Sequence, residues 1–337
     1  MARLPKNDKV VDIGTIAAAL GVSKTTVSRA ISGNGRVGAA TRQRVQDYVK
    51  EHNYTPSVMA RGLAMRCSYN ISLVISKQFS DFEMPFLRKT MRSVYQVAED
   101  RDYDVLLTLV GENETRPVER LLDNRKIDGL ILTRTLERDP LIPLLKSRKL
   151  PFVAIGRPED PTVMSVDHDQ VGGCRELTSL LLKGMKRIAL LGGTMLYTVN
   201  MSRLEGFKQA YDMMDQKIDE SLLFLELETD DLRMQAVSQA LERKPDCILC
   251  MDDRLTLLAM NMLKQQGVRV PQDIRVASLY DSSALAESSP AITAVQFDAY
   301  ALGRKATQQL LQTLKGREVE TRVELGYQVS MRESTKT

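Results

Sequence analysis

Seven segments constrain the architecture of this chain more tightly than any other feature: NISLVIS, YDVLLTLV, DGLILT, PFVAIG, KRIALLGG, DCILCM and IRVASLY. Each is a near-continuous apolar run bounded by Gly, Asp or Pro, and helical stretches separate them. A strand with one wet face alternates apolar and polar residues. A strand apolar on both faces belongs to a parallel sheet covered by helices on each side. Seven such strands exceed one ordinary sheet, and the roughly 270 residues that carry them suit two doubly wound lobes. Ligands of open α/β sheets lie at the carboxyl ends of strands. The residues just past those ends here are Gly156 and Arg157 in IGR, Arg203 in MSRLEGF, Asp252 and Asp253 in CMDDR, and Asp281 in LYDSS. Arginine mixed with carboxylates suits a molecule rich in hydroxyls, whose orientation paired hydrogen bonds can fix. Asp169, in VDHDQVGG, reads instead as an N-cap for the helix that follows.

The amino-terminal portion has a different character. Residues 1–66 hold eleven Lys and Arg against four acids, a net +7, whereas the rest of the chain holds 36 against 39. A small basic head on a faintly acidic body points to a polyanionic partner for the head alone. Ile13, Ile16, Ala17 and Leu20 form one helical stripe, with Thr15 as the expected cap and Gly21 as the terminator. Ser23 is the expected cap of a second helix, stapled by Val22 and Val27. At about 100° per residue, Lys24, Thr25, Ser28 and Arg29 share one arc of that helix and Thr26, Val27, Ala30 and Ile31 the other. A third helix carries Val45, Tyr48, Val49 and His52 after the turn SGNGRVG. Two short helices joined by a tight turn and braced by a third make a helix-turn-helix, whose second helix fits the major groove of double-stranded DNA.

NYTPSVMARGLAMR follows, with Thr55 a good cap and Pro56 suited to a first helical turn. A helix ending near Ala64 falls short of the roughly 12–15 residues an isolated helix needs, and Gly62 costs it about a further 1 kcal/mol. This segment is expected to be helical only when something packs on its apolar side.

IAAALGVSKTTVSRAISGNGRV, TRQRV, NYTPSVMARGLA and ISLVIS together resemble the lactose/galactose-repressor (LacI/GalR) family of bacterial transcription regulators, and the likeness runs over nearly the whole chain. It implies a DNA-binding head at 1–54, a hinge helix at 55–66 and a periplasmic-binding-protein-like body at 67–337. The lobes would exchange strands, roughly 68–167 with 297–326 and 168–296 with 327–337. By this resemblance Ser23, Lys24, Thr25, Thr26, Ser28, Arg29, Tyr54 and Arg61 serve DNA contact, with Lys24 and Thr25 at specificity positions. Leu63 would wedge into the minor groove. Arg157, Arg203, Asp252, Asp281 and Phe297 would bind the effector, Phe297 by stacking on a sugar face. The departures are Thr15 for an Asp, Gly38 for a Ser cap, Asp252 for an Asn, and SLYDSS and VQFDAY for the usual pocket segments. They leave open an effector bearing a cationic or heavily hydroxylated group.

The expectation is a cytoplasmic homodimer that binds a palindromic operator as a repressor and is released by a small sugar-like effector. Corepression is the main alternative, followed by a sugar-binding protein or enzyme with an accessory head. No cofactor or metal is expected, nor a membrane partner, since no apolar stretch approaches the length of a span. Cys247 and Cys250 form a CxxC inside an apolar run with no second ligand pair, and they read as buried thiols. The chain has two histidines, His52 and His168, and neither a GxxxxGK[ST] loop nor a GxGxxG after the first strand. GYQVSMRESTKT carries no leucine heptads, which favours a dimer over a tetramer.

Overall fold

A computed structural model describes residues 12–32, 35–52, 67–77, 85–133 and 135–336. The chain divides into two compact units at residue 69. The first contains α1 (Ile13–Leu20), α2 (Lys24–Ser32) and α3 (Ala39–Glu51) around buried Ile16, Ala17, Val27, Ala30 and Val45. Gly21 ends α1 in the left-handed conformation, and the Ser23 hydroxyl accepts the Thr26 amide at 3.0 Å to cap α2. Thr15 is not the cap of α1. Asp12 is, because its carboxylate accepts both the amide and the hydroxyl of Thr15, at 2.7 and 2.9 Å. A carboxylate three residues upstream satisfies an orphan helix-end amide and also complements the helix dipole. Gly38 precedes α3 with no side-chain cap. The expected hinge helix, with Tyr54, Arg61 and Leu63, lies outside the described residues.

The second unit holds two six-stranded sheets. The first has the order β11-β5-β4-β3-β1-β2. Its strands are β1 (Asn70–Ser76), β2 (Asp104–Val110), β3 (Gly129–Leu132), β4 (Phe152–Ile155), β5 (Ser165–His168) and β11 (Arg322–Leu325), all parallel. The second has the order β12-β10-β9-β8-β6-β7. It is built from β6 (Ile188–Leu191), β7 (Leu223–Phe224), β8 (Cys247–Cys250), β9 (Arg275–Ser278), β10 (Thr293–Gln296) and β12 (Gln328–Ser330), with only β12 antiparallel. Each sheet defines a lobe, and the chain passes between lobes three times: after β5, after β10 and after β11. Helix α4 (Pro85–Glu99) covers the first sheet together with α12 (Ala299–Leu314), which returns from the other lobe to bury Leu302, Ala306 and Leu310 beside Ile71, Leu73 and Val94. The strands are buried along their length, as runs apolar on both faces require: β3, β4, β6 and β8 have every residue buried. Cys247 and Cys250 sit in β8 fully buried, and burial pushes both thiols up, which keeps them unreactive.

Helices α7 (Gln170–Leu182) and α8 (Thr198–Met213) pack closely on the second sheet. Their approach depends on Gly206, where a Cβ would lie 2.4 Å from the Val171 carbonyl oxygen. The obstructing atom is backbone and cannot swing away. Gly206→Ala is expected to cost about 1–3 kcal/mol through this overlap, measurable as a lowered unfolding midpoint; an unchanged midpoint would mean that the two helices part freely. The contact also fixes α8, which carries Arg203 one turn earlier.

Candidate functional site

Two regions bring chemistry together. In the head, Lys24, Thr25 and Arg29 are exposed on α2, Ser28 and Thr26 are half-buried, and Val27 and Ala30 are buried against α1 and α3. The Ser23 and Thr26 hydroxyls are 2.8 Å apart and hold the helix start. What remains outward is a face with Lys24 and hydroxyls at the positive end of the helix dipole and Arg29 in the last turn, suited to phosphate and base edges.

In the body, the carboxyl ends of the strands of both sheets face a cavity of about 80 Å³. The first lobe contributes Phe86, Thr133, Thr135, Asp167 and His168. The second contributes Gln170, Thr198, Arg203, Asp252, Asp253 and Tyr280, and Phe297 lies at a crossing. Arg203 is 5% exposed. Its Nη1 donates to the Met251 carbonyl at 2.7 Å and its guanidinium lies 5.8 Å from the Tyr280 ring. Asp252 caps α10 (Asp253–Gln265) by accepting the Leu255 amide at 2.8 Å. Asp169 likewise caps α7, accepting the Gly172 amide at 2.7 Å. Burial pushes the Asp167 carboxyl up to about 6 and raises Asp253 as well. It lowers His168 to about 4, so that this imidazole is neutral near pH 7. His168 is 3% exposed, and neither ring nitrogen has a well-formed hydrogen-bond partner among the described residues. The lobes touch at the cavity mouth through the Thr135 and Thr198 hydroxyls, 2.6 Å apart, and the Glu137 amide donates to the Leu196 carbonyl at 2.9 Å.

Of the five effector residues expected from sequence, Arg203, Asp252 and Phe297 line this cavity, and Arg157 and Asp281 do not. Arg157 is more than half exposed and lies 3.6 Å from Glu205. Asp281 is turned away: its carboxylate takes both guanidinium nitrogens of Arg332, at 2.8 and 2.5 Å, and the Gln296 amide at 2.9 Å. Sequence reasoning missed Asp167, His168, Gln170, Thr135, Thr198, Tyr280 and Phe86. The signal for two of them was present, since Asp167 and His168 end β5, but SVDH lacks the apolar run that marks the other strands.

A helix-turn-helix joined to a two-lobed body with a cavity between its sheets defines a class of protein, the DNA-binding transcriptional regulator built on a periplasmic-binding-protein scaffold. Residues 12–57 match the model for bacterial regulatory proteins of the lacI family, and residues 177–335 match the periplasmic binding protein-like domain. The chain is 31% identical over 328 residues to the HTH-type transcriptional regulator CelR of Thermobifida fusca, covering 95% of this chain and 96% of that one. The structure of a transcriptional regulator CelR–cellobiose complex superposes with a TM-score of 0.73 at 29% identity, covering 96% and 99% of the two chains. The lac repressor dimer bound to operator and the anti-inducer ONPF shares the fold, with a TM-score of 0.81 at 23% identity over 98% and 100%. The chain belongs to the lacI family of bacterial transcriptional regulators.

Proposed function

We propose that this protein is a cytoplasmic, homodimeric repressor of carbohydrate-utilisation genes, released from its operator by a saccharide bound in the inter-lobe cavity. The observation that carries the reading is the pairing, in one chain, of an outward cationic helix face with an inter-lobe cavity lined, among the described residues, by one arginine, three carboxyls and aromatic rings. The cellobiose held by CelR supports a saccharide as the ligand class. Two heads would read two half-sites, so the operator is an inverted repeat. Ligand-dependent closure of one lobe on the other would alter the spacing of the first lobes in the dimer, and with it the pairing of segment 55–66. A coupling of about 1–3 kcal/mol would change operator affinity some 5- to 150-fold. The ligand binds and leaves chemically unchanged, so the saccharide should be recovered intact after incubation.

Selection of duplexes from a random pool by the full-length protein tests this reading. An inverted repeat whose binding weakens with a saccharide supports it, and no preference for any palindrome over scrambled DNA ends it. Within that operator, Arg29→Ala is expected to cost about 1–3 kcal/mol and to relax preference at one base position. An unchanged preference removes Arg29 from base readout.

A further inference from the structure

We infer that the inter-lobe cavity is built for an uncharged or ammonium-bearing saccharide and rejects phosphorylated and carboxylate-bearing ones; this rests on the effector reading above. Among the described residues, three carboxyls, Asp167, Asp252 and Asp253, reach the cavity wall against a single guanidinium, Arg203. Among the described residues none of the three forms an ion pair with Lys or Arg. Their shortest hydrogen bonds come from backbone amides, His168 on Asp167 at 2.8 Å, Leu255 on Asp252 at 2.8 Å and Arg254 on Asp253 at 3.1 Å, with the neutral side chains of Gln170 beside Asp167 and Ser282 beside Asp253. The one guanidinium is already drawn on, by the Met251 carbonyl at 2.7 Å and the Gln170 side-chain oxygen at 3.4 Å. Arg157, at the end of β4, is turned outward to Glu205. An incoming phosphate would therefore meet more negative than positive charge in a place from which water is largely removed, where like charges repel most strongly.

His168 points the same way. It is more than nine-tenths buried, lines the cavity and leaves both ring nitrogens without a well-formed partner. A neutral imidazole offers one donor and one acceptor, which is what a sugar hydroxyl, itself donor and acceptor, satisfies. A fully ionised phosphate can use only the ring's single N–H and sets its own lone pairs against the acceptor nitrogen, and burial disfavours the protonated form that would offer two donors. The rings of Phe86, Tyr280 and Phe297 supply apolar faces for the C–H side of a pyranose.

The test uses the full-length protein and matched series: glucose, glucosamine, phosphorylated glucose and glucuronate, and the same four forms of galactose and mannose. Binding is read by calorimetry and by thermal stabilisation. In any series that binds, the neutral or amino member is expected to bind at least about tenfold more tightly than the two anions. A phosphorylated or uronate member that equals or exceeds its neutral parent overturns the inference. If that anion also releases operator DNA, the regulator reading survives while the charge inference falls. If neither a member of any series nor cellobiose binds at millimolar concentration, the effector reading falls and the inference with it. Asp252→Asn keeps an N-cap residue on α10 and removes one negative charge. It is expected to shrink the preference for the amino member over the phosphorylated one by roughly tenfold, and an unchanged ratio removes Asp252 from charge selection.

Discussion

Arg332→Ala is expected to lower the stability of the second lobe by about 3–5 kcal/mol, the usual cost of leaving a buried charge without its partner. The Asp281 side chain is only 7% exposed and that of Arg332 16%. Two guanidinium–carboxylate contacts, at 2.8 and 2.5 Å, hold the pair in a forked arrangement, and Arg332 also donates to the Ile292 carbonyl at 2.6 Å. Truncation to Ala strands the Asp281 carboxylate with Gln296 as its remaining side-chain donor. Urea titration should show a large drop in midpoint. Pairing Arg332→Met with Asp281→Leu should recover much of it, because removing both charges abolishes the desolvation cost. A drop of less than about 1 kcal/mol for Arg332→Ala, typical of an exposed pair, would return Asp281 to the pool of groups free to bind ligand.

The second large effect concerns Arg203. Its replacement by Ala is expected to abolish release by the saccharide while operator affinity in its absence stays within about threefold of the parent's, a margin of about 0.7 kcal/mol. The guanidinium is the one cation among the described residues of the cavity wall, and a hydrogen bond from a charged group to a ligand contributes about 1.5–3 kcal/mol. Truncation also leaves the Met251 carbonyl without its donor. Arg203→Met keeps most of the side-chain volume and separates loss of the ligand contact from collapse of the wall. Titration of a bound operator complex with saccharide decides the matter. A variant released at the same concentration as the parent places Arg203 outside the binding step.

Much of the fold was legible because the physics that makes a doubly wound sheet leaves a dense mark in sequence. All seven apolar runs form strands, β1, β2, β3, β4, β6, β8 and β9. The elements that went unread are β7, only two residues long, and β5 (SVDH), β10 (TAVQ), β11 (RVEL) and β12 (QVS), whose polar residues interrupt the apolar run that marked the other strands. The cavity was half legible. The rule that ligands sit past strand ends found Arg203, Asp252 and Asp253, and the family resemblance added Phe297, but the rule gives a position and not a direction. Arg157 follows Gly156 outward, and Asp281 is drawn away by Arg332, a residue 51 positions later that reaches it only after the last crossing. Asp12 and Thr15 illustrate the same limit locally: either side chain can cap a helix, and only the backbone at Asp12, extended at φ −117° and ψ 173°, settles which.

The three passages between lobes bear on how the protein is made. Each sheet receives an edge strand from beyond residue 320: β11 completes the first and β12 the second. During synthesis neither lobe can finish before that stretch clears the ribosome, so both halves wait on the same few residues. A stop codon ahead of Arg322 would strip an edge from each lobe at once, leaving two open sheets in place of one intact half and one damaged one.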